Sequence, residues 1–415
     1  MAVVRPFKGL RPKNQEVAEN MISLPYDVMN RKEAKEMAGN NPYSFLKIVR
    51  SEINLDDSVE VYSKEVYEKA KEVLNDWSNE GVLVEDSNPV FYIYRQIMEG
   101  RVQTGLVGCT SIDDYMNNII KKHEFTRKEK ELDRINHFDI TDANTEPVFL
   151  TYKKNDRINE IVSKWIEENK PEYDVVTEDG IAHIVWVLND SSLVKEITEL
   201  FTGIKYLYIA DGHHRSASAV AAGKKRREEK PDYTGEEEFN RFLAVIFPDE
   251  DLYVMDYNRV VKDLNGLSNE DFLAKVAEKF DVIEASTSPY KPNDKHEYGM
   301  FFDGNWYTLK SKEGSYPEND PVLSLDSAVL QNNLLSPILG IEDPRTDKRI
   351  DFIGGIRGLK ELERRVNEDM KVAFALYPVT IDDLMGVADA GQVMPPKSTW
   401  FEPKLRSGLF VHKLS

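Results

Sequence analysis

The chain has 415 residues and a formal net charge of −19, so it lacks the basic balance needed to wrap a nucleic-acid backbone. Hydrophobic residues make up 41% of it, enough for a sizeable core in two or three domains or one elaborate domain, and the 31% that are charged give a well-solvated surface. Cys109 is the sole cysteine, which excludes an intrachain disulfide and a cysteine-ligated zinc site. No apolar run approaches the roughly 18 residues of a membrane span, and the start lacks the pattern of a signal peptide. The cytoplasm is the expected compartment.

In chain order, Phe7-Lys8-Gly9-Leu10-Arg11-Pro12 and Ser23 to Met29 are short apolar pieces punctuated by proline, which predicts extended chain. Asn30 is placed to cap a helix through Ala38 that Gly39 ends. Asn41 to Arg50 reads as a turn into a strand. From Asp57 to Glu80, Val59, Tyr62, Val66, Tyr67, Ala70, Val73, Leu74 and Trp77 fall on one helical face. Strands follow at Val90–Arg95 and Val102–Gly108 with a hairpin turn at Glu99-Gly100. Ile119 to Thr126 leads into a charged helix, Lys128 to Phe138, with Thr126 and Glu129 spaced as a capping box.

Further strands are expected at Pro147–Tyr152, Ile181–Leu188, Tyr206–Ala210 and Phe242–Phe247, with a helix at Arg157–Glu168 and another after Ala210. Alternating strands and helices predict an α/β or mixed α+β architecture. Beyond Arg259 the pattern shifts: a helix at Asn269–Lys279, strands near Val282 and Met300, a hairpin at Gly304-Asn305, a helical stretch at Leu325–Leu339, and strands at Ile350–Ile353 and Val372–Tyr377 around another helix. The expected division is an α/β core over 1–260 and a C-terminal α+β region over 261–415 packing on it. The tail from Met394 to Gly408 is basic, proline-stiffened and aromatic.

The strongest chemical signal is Asp211-Gly212-His213-His214-Arg215-Ser216, where an apolar strand stops and an alanine-rich helix begins. Free N–H groups and the macrodipole at a helix start favour an anion, and Arg215 adds a fork suited to phosphate or carboxylate. The plain alternative is a strand–helix junction capped by Asp211, with the histidines satisfied by backbone. His123-Glu124 is the second constellation. Glu124 has the chemistry of a general base and His123 that of a phosphate ligand or its orienter, although a charged strand end would look the same. Lys397-Ser398-Thr399, with Lys404 and Arg406 following, offers cations and hydroxyls that could close over a phosphate or serve as a packed terminal strap. Arg11 and Asp27 are loop residues that could approach the turn. The Arg345-Asp347-Arg349 loop, the isolated His137, His183, His296 and His412, and the Lys224 to Arg227 cluster read as structural. Cys109 reads as packing. No dedicated protein metal site is expected, since adjacent histidines point in different directions.

The Asp211 to Arg215 turn resembles that of the ParB/sulfiredoxin-like superfamily, which includes free-serine kinases. The wider chain resembles the bacterial and archaeal domain-of-unknown-function 1015 family. The pieces that carry this second likeness are Phe7 to Pro12, Pro25-Tyr26-Asp27-Val28, Asn41 to Phe45, His123-Glu124, Ala210 to Ser216 and Met394 to Thr399. The resemblance implies a ParB/sulfiredoxin-like mixed core with large insertions and a C-terminal extension. It also implies a nucleotide-dependent phosphotransferase acting on a small hydroxylated metabolite, free L-serine first among them, with ATP or ADP and a nucleotide-bound Mg²⁺. In that reading Gly212, His213, His214, Arg215 and Ser216 bind the nucleotide. Glu124, His123, Asp211 and Lys397 are catalytic, and Arg11, Asp27, Ser398 and Thr399 meet the substrate. A ParB-like nucleotide-binding regulatory module and a metal-dependent phosphatase are the competing readings; no nucleic-acid or membrane partner is expected.

Overall fold

Glu99 and Gly100 both adopt positive φ (52° and 79°) and turn the chain between two long strands at the middle of the larger sheet. The computed structural model describes residues 1–284 and 287–415. The chain forms two units, Met1–Leu252 with Pro403–Ser415 and Tyr253–Glu402.

The first unit contains strands β1 (Val4–Arg5), β2 (Phe91–Met98), β3 (Arg101–Ser111), β4 (Ile120–Lys121), β5 (Val148–Tyr152), β6 (Tyr173–Val176), β7 (Ala182–Leu188), β8 (Leu207–Asp211) and β9 (Arg241–Pro248). Their order is β4-β8-β5-β9-β3-β2-β7-β6, with β1 against β3. The β4/β8 and β5/β9 pairs are parallel and the other pairs antiparallel, so the sheet is mixed. The longer helices are α1 (Lys64–Asn79), α2 (Lys128–Thr141), α3 (Asp156–Glu168), α4 (Ser191–Phe201) and α5 (His213–Glu229). Ile93, Leu106, Leu150, Ile209, Val220 and Ile246 join strands and α5 in one core. This is the mixed α/β architecture expected.

β8 is apolar up to Asp211 and its first four residues are buried, as suits a strand covered on both faces. The opening turns of α5 are buried nearly all round, from Arg215 to Val220 and again at Ala222 and Gly223. Alanine, serine and glycine keep that helix thin, and Ser218 Oγ donates to the Glu131 carbonyl of α2 at 2.9 Å.

The second unit is an antiparallel sheet of β10 (Tyr257–Val261), β11 (Phe280–Glu284), β12 (Glu297–Phe302), β13 (Asn305–Ser311), β14 (Ile350–Gly354) and β15 (Val372–Leu376). Their order is β11-β13-β12-β15-β10-β14. Helices α6 (Asn269–Lys279), α7 (Leu359–Glu368) and α8 (Ile381–Asp389) accompany it. Phe272, Phe280, Tyr298, Leu334 and Phe374 lie in its core.

Three local expectations need correcting. The expected strand before Arg50 is a short helix, Leu46–Val49, because Phe45, Leu46, Ile48 and Val49 bury a helical rather than an alternating set. Thr126 does not cap α2: Arg127 is the cap residue without a side-chain bond, and the Thr126 hydroxyl donates to Glu131 instead. The helical stretch from Leu325 begins as Asp326–Leu330 and widens into a π-turn at Gln331–Leu335. The division between units also differs from a boundary near 260, because the chain's last segment returns to the first unit. Leu409, Phe410, Val411 and Leu414 are apolar and buried there, and Leu10 and Val411 exchange backbone hydrogen bonds at 2.9 Å.

Glycine inside a helix ordinarily costs about 1 kcal/mol relative to alanine. At Gly223 that preference is overridden, since a Cβ would stand 2.4 Å from the Phe239 carbonyl oxygen and 2.8 Å from Ile112 Cδ1. Backbone cannot yield as a side-chain tip would, so Gly223→Ala is expected to destabilise the protein by about 1–3 kcal/mol. Urea denaturation followed by circular dichroism measures it; a rise in stability would show that α5 has room to move off Phe239.

Candidate functional site

At the end of β8 the backbone turns at Gly212, whose φ of 92° and ψ of 32° place it in the left-handed region. A side chain there would be strained, and a Cβ would lie 3.1 Å from Arg215 Nε. Glycine thus serves both the turn and the guanidinium folded back over it. Arg215 Nη1 donates to the Pro147 carbonyl at 2.5 Å, and Nη2 lies 3.4 Å from Asp211 Oδ2. Nε has no hydrogen-bond partner although Arg215 is only 2% exposed. The Ser216 hydroxyl turns inward and donates to the Gly212 carbonyl at 3.0 Å.

Burial opposes the charge on Arg215, but Asp27, Asp211 and Glu146 outweigh it and lift its pKa above the ordinary arginine value. Burial likewise opposes ionisation of Asp211, yet Lys404, Arg215 and His213 hold its pKa down at about 2. Lys404 Nζ stands 3.8 Å from Asp211 Oδ2. The turn therefore presents cations around one ionised, partly exposed carboxylate.

Three imidazoles surround this point. His123 and His213 meet edge to face, centroids 4.5 Å apart. His213 Nε2 accepts from the His123 N–H at 3.4 Å, and its Nδ1 lies 3.6 Å from Glu124 Oε2. An accepting Nε2 puts the proton of neutral His213 on Nδ1, toward Glu124. Burial pushes the His213 pKa well below the usual histidine value. His214 points elsewhere, as expected of adjacent histidines, and its Nε2 accepts from the Arg127 N–H at 3.0 Å. Neither ring nitrogen of His123 has a well-aligned partner, and burial lowers its pKa to about 4 against the opposing pull of Asp211 and the Ile209 carbonyl.

Behind the turn, buried Glu146 accepts from the Tyr26 N–H at 3.0 Å and from Ser407 Oγ at 2.9 Å. Its second oxygen is 3.6 Å from Arg134 Nη1, and Arg134 lies 4.0 Å over the Tyr26 ring. Arg134 also pairs with Asp133 at 3.0 Å. Burial raises the Glu146 pKa, against Arg215 and Arg134. This network ties the Pro25-Tyr26-Asp27 segment to the turn, and Asp27 acts on both Arg215 and His214.

Of the residues singled out from sequence, the structure brings His123, Glu124, Asp211 to Ser216 and Asp27 into one neighbourhood. Arg11 does not join them: its guanidinium forks onto Asp86 at 2.9 Å and reaches Glu172 and Tyr173 at 2.8 and 2.9 Å. Lys397, Ser398 and Thr399 belong to the second unit. There the Lys397 ammonium lies 5.5 Å over the Tyr257 ring and Ser398 bonds Ser327 and the Pro395 carbonyl. The cation at the turn is Lys404, which sequence offered only as one of several in the tail. Glu146 and Arg134 were missed altogether, because a charged residue before a strand or on a polar helix gives no sign of burial. Among the described residues, no group of three or more His, Cys, Asp or Glu is arranged as a metal site, and no helix is long and apolar enough to cross a membrane.

Burying neutral His123 couples stability to pH. Its folded pKa of about 4 lies below the unfolded value of about 6.5, so its contribution is intact above pH 6.5 and is lost as pH falls toward 4. At pH 5 the loss amounts to about 2 kcal/mol. His123→Gln is expected to flatten the denaturation free energy between pH 7 and 5 by that order, and an unchanged slope would mean that the ring charges freely in the folded protein. Asp211 does not enter this window, since its pKa lies at about 2.

No curated protein matches the chain. Among solved structures it is similar to a mutant free serine kinase in complex with AMP, at 14% identity and a TM-score of 0.37, covering 76% of this chain and 94% of that one. It is similar to C-terminally truncated SbnI from Staphylococcus aureus at 10% identity and a TM-score of 0.37, covering 74% and 87%. A conserved hypothetical protein from Pyrococcus furiosus matches at 15% identity and a TM-score of 0.35, covering 73% and 94%. Likeness at this level says nothing about the chemistry of the turn. The family described as "Protein of unknown function (DUF1015)" matches residues 4–328, and the chain belongs to that family.

Proposed function

We propose that the Asp211 to Ser216 turn binds the phosphates of ATP or ADP and that the protein transfers a phosphoryl group to a small hydroxylated metabolite. The observation that carries this reading is the set of unmet polar atoms at the start of α5. Arg215 Nε is buried without a hydrogen-bond partner, and neither ring nitrogen of His123 has a well-aligned one. Such groups cost about 1–3 kcal/mol each when left unpaired, and an oxyanion at the helix start would accept from Arg215 Nε and from the protonated ring nitrogen of neutral His123. Free L-serine is the first substrate to test, on the resemblance of the turn to that of serine kinases.

In this mechanism the backbone and Arg215 fix the phosphates, while Lys404 adds positive charge beside Asp211. Glu124, exposed at the edge of the cluster, takes the proton from the substrate hydroxyl. That oxygen forms a bond to the terminal phosphorus as the bridging P–O bond breaks, and the bond's electron pair leaves with the shortened nucleotide. Mg²⁺ bound to the nucleotide would offset phosphate charge, and ionised Asp211 is the carboxylate at the turn suited to hold it.

Incubation with Mg²⁺, ATP or ADP, and L-serine, followed by phosphorus NMR, is expected to yield phosphoserine only when nucleotide is present. Glu124→Gln should keep nucleotide affinity and lose roughly 10²–10⁴ in turnover, whereas Arg215→Ala should lose the affinity itself while its circular dichroism reports the fold. Unchanged nucleotide affinity in Arg215→Ala would remove the turn from the mechanism. Binding without product would leave a nucleotide-sensing module, and phosphate released from phosphoserine without nucleotide would indicate a phosphatase.

A further inference from the structure

The second unit holds a cavity of about 390 Å³, within the size range of small-molecule sites, that the proposed phosphoryl chemistry does not use. Its walls include Lys295, His296, Tyr316, Glu318, Asp326 and Asp383. Asp326 is 6% exposed, and one of its oxygens is fully committed to His296. Oδ1 accepts the His296 N–H at 2.9 Å and lies 3.2 Å from the ring Nδ1. His296 reaches both positions by adopting a positive φ of 66°, and its ring stacks on Tyr316 with centroids 4.1 Å apart. The other oxygen of Asp326, Oδ2, is buried and accepts no hydrogen bond.

The neighbouring charges are already matched. Lys295 Nζ lies 2.6 Å from Asp383 Oδ1, and Asp383 Oδ2 accepts the N–H and hydroxyl of Thr380. Pairing Lys295 with Asp383 leaves Asp326 and exposed Glu318 as the remaining acidic groups on the wall; burial opposes ionisation of Asp326, while His296 and Lys295 favour it. A carboxylate oxygen kept from water without a donor is costly. A primary ammonium brings the missing donor and opposite charge together.

We infer that this cavity is a binding site for a small protonated amine, whose ammonium group donates to Asp326 Oδ2 beside Glu318 and the Tyr316–His296 stack. The site lies wholly within the second unit and is independent of the phosphate-binding turn.

Isothermal titration of the full chain with 1,4-diaminobutane, against 1,4-butanediol and succinate as neutral and anionic counterparts, tests it. Saturable binding of the diamine is expected, with at least tenfold weaker binding of both counterparts. Asp326→Asn should weaken diamine binding more than tenfold. Because that change also touches the His296 contact, Glu318→Gln on the exposed rim serves as a second variant, with an expected loss of about threefold. Equal binding of diamine and diol, or full affinity retained in Glu318→Gln and in a folded Asp326→Asn, would overturn the assignment. Arg215→Ala should bind the diamine as the parent does, which separates this outcome from that of the nucleotide experiment.

Discussion

The geometry at the end of β8 depends on placing one guanidinium out of water. Arg215 is buried at the first turn of α5, where the helix dipole is itself positive, so the surroundings must supply negative charge. They do so from three directions: Asp211 on the strand, Glu146 ahead of β5, and Asp27 from the N-terminal segment. The same requirement accounts for glycine at 212, because a side chain there would occupy the space into which the guanidinium folds. Burial makes Arg215 depend on these carboxylates, since a buried charge deprived of its partner costs about 3–5 kcal/mol.

A second consequence concerns protonation. Arg215 acts on His214 and Lys122 on His213, and burial keeps His123 and His213 neutral. Neutral imidazoles can each donate one proton and accept another, so their roles follow from the partners they already have. His213 spends its acceptor on the His123 backbone and His214 on Arg127. His123 alone keeps both ring nitrogens without an aligned partner. Charge at the turn is thus carried by Arg215, Lys404 and Asp211, with the histidines supplying shape and directional hydrogen bonds.

Much of this was legible in the sequence. The apolar run into Asp211-Gly212 marked the strand–helix junction, and the Glu99-Gly100 hairpin and the helix Asn269–Lys279 follow from turn chemistry and periodicity. What escaped was whatever depends on long-range pairing. Arg11 looked free in its loop, yet Asp86 and Glu172 take up its charge. Lys397 and Lys404 were indistinguishable as tail cations, but they fall in different units. Glu146 gives no local signal, because its burial is created by Tyr26, Arg134 and Ser407, all distant in sequence. Asn41 to Arg50 misled because a short helix buries the same residue types as a strand and differs only in their spacing.

The return of Pro403–Ser415 to the first unit makes the intervening Tyr253–Glu402 an insertion in an otherwise continuous body. Chains emerge from the ribosome N-terminus first, and domains generally fold as they appear. Here the large sheet can be synthesised in full while Lys404 beside Asp211 and Ser407 on Glu146 are still missing. Lys404 and Ser407 reach these carboxylates only after some 150 residues of another body have been translated. Completion of this charge network is therefore a late event, and a prematurely terminated chain would carry the sheet without the contacts of Lys404 and Ser407.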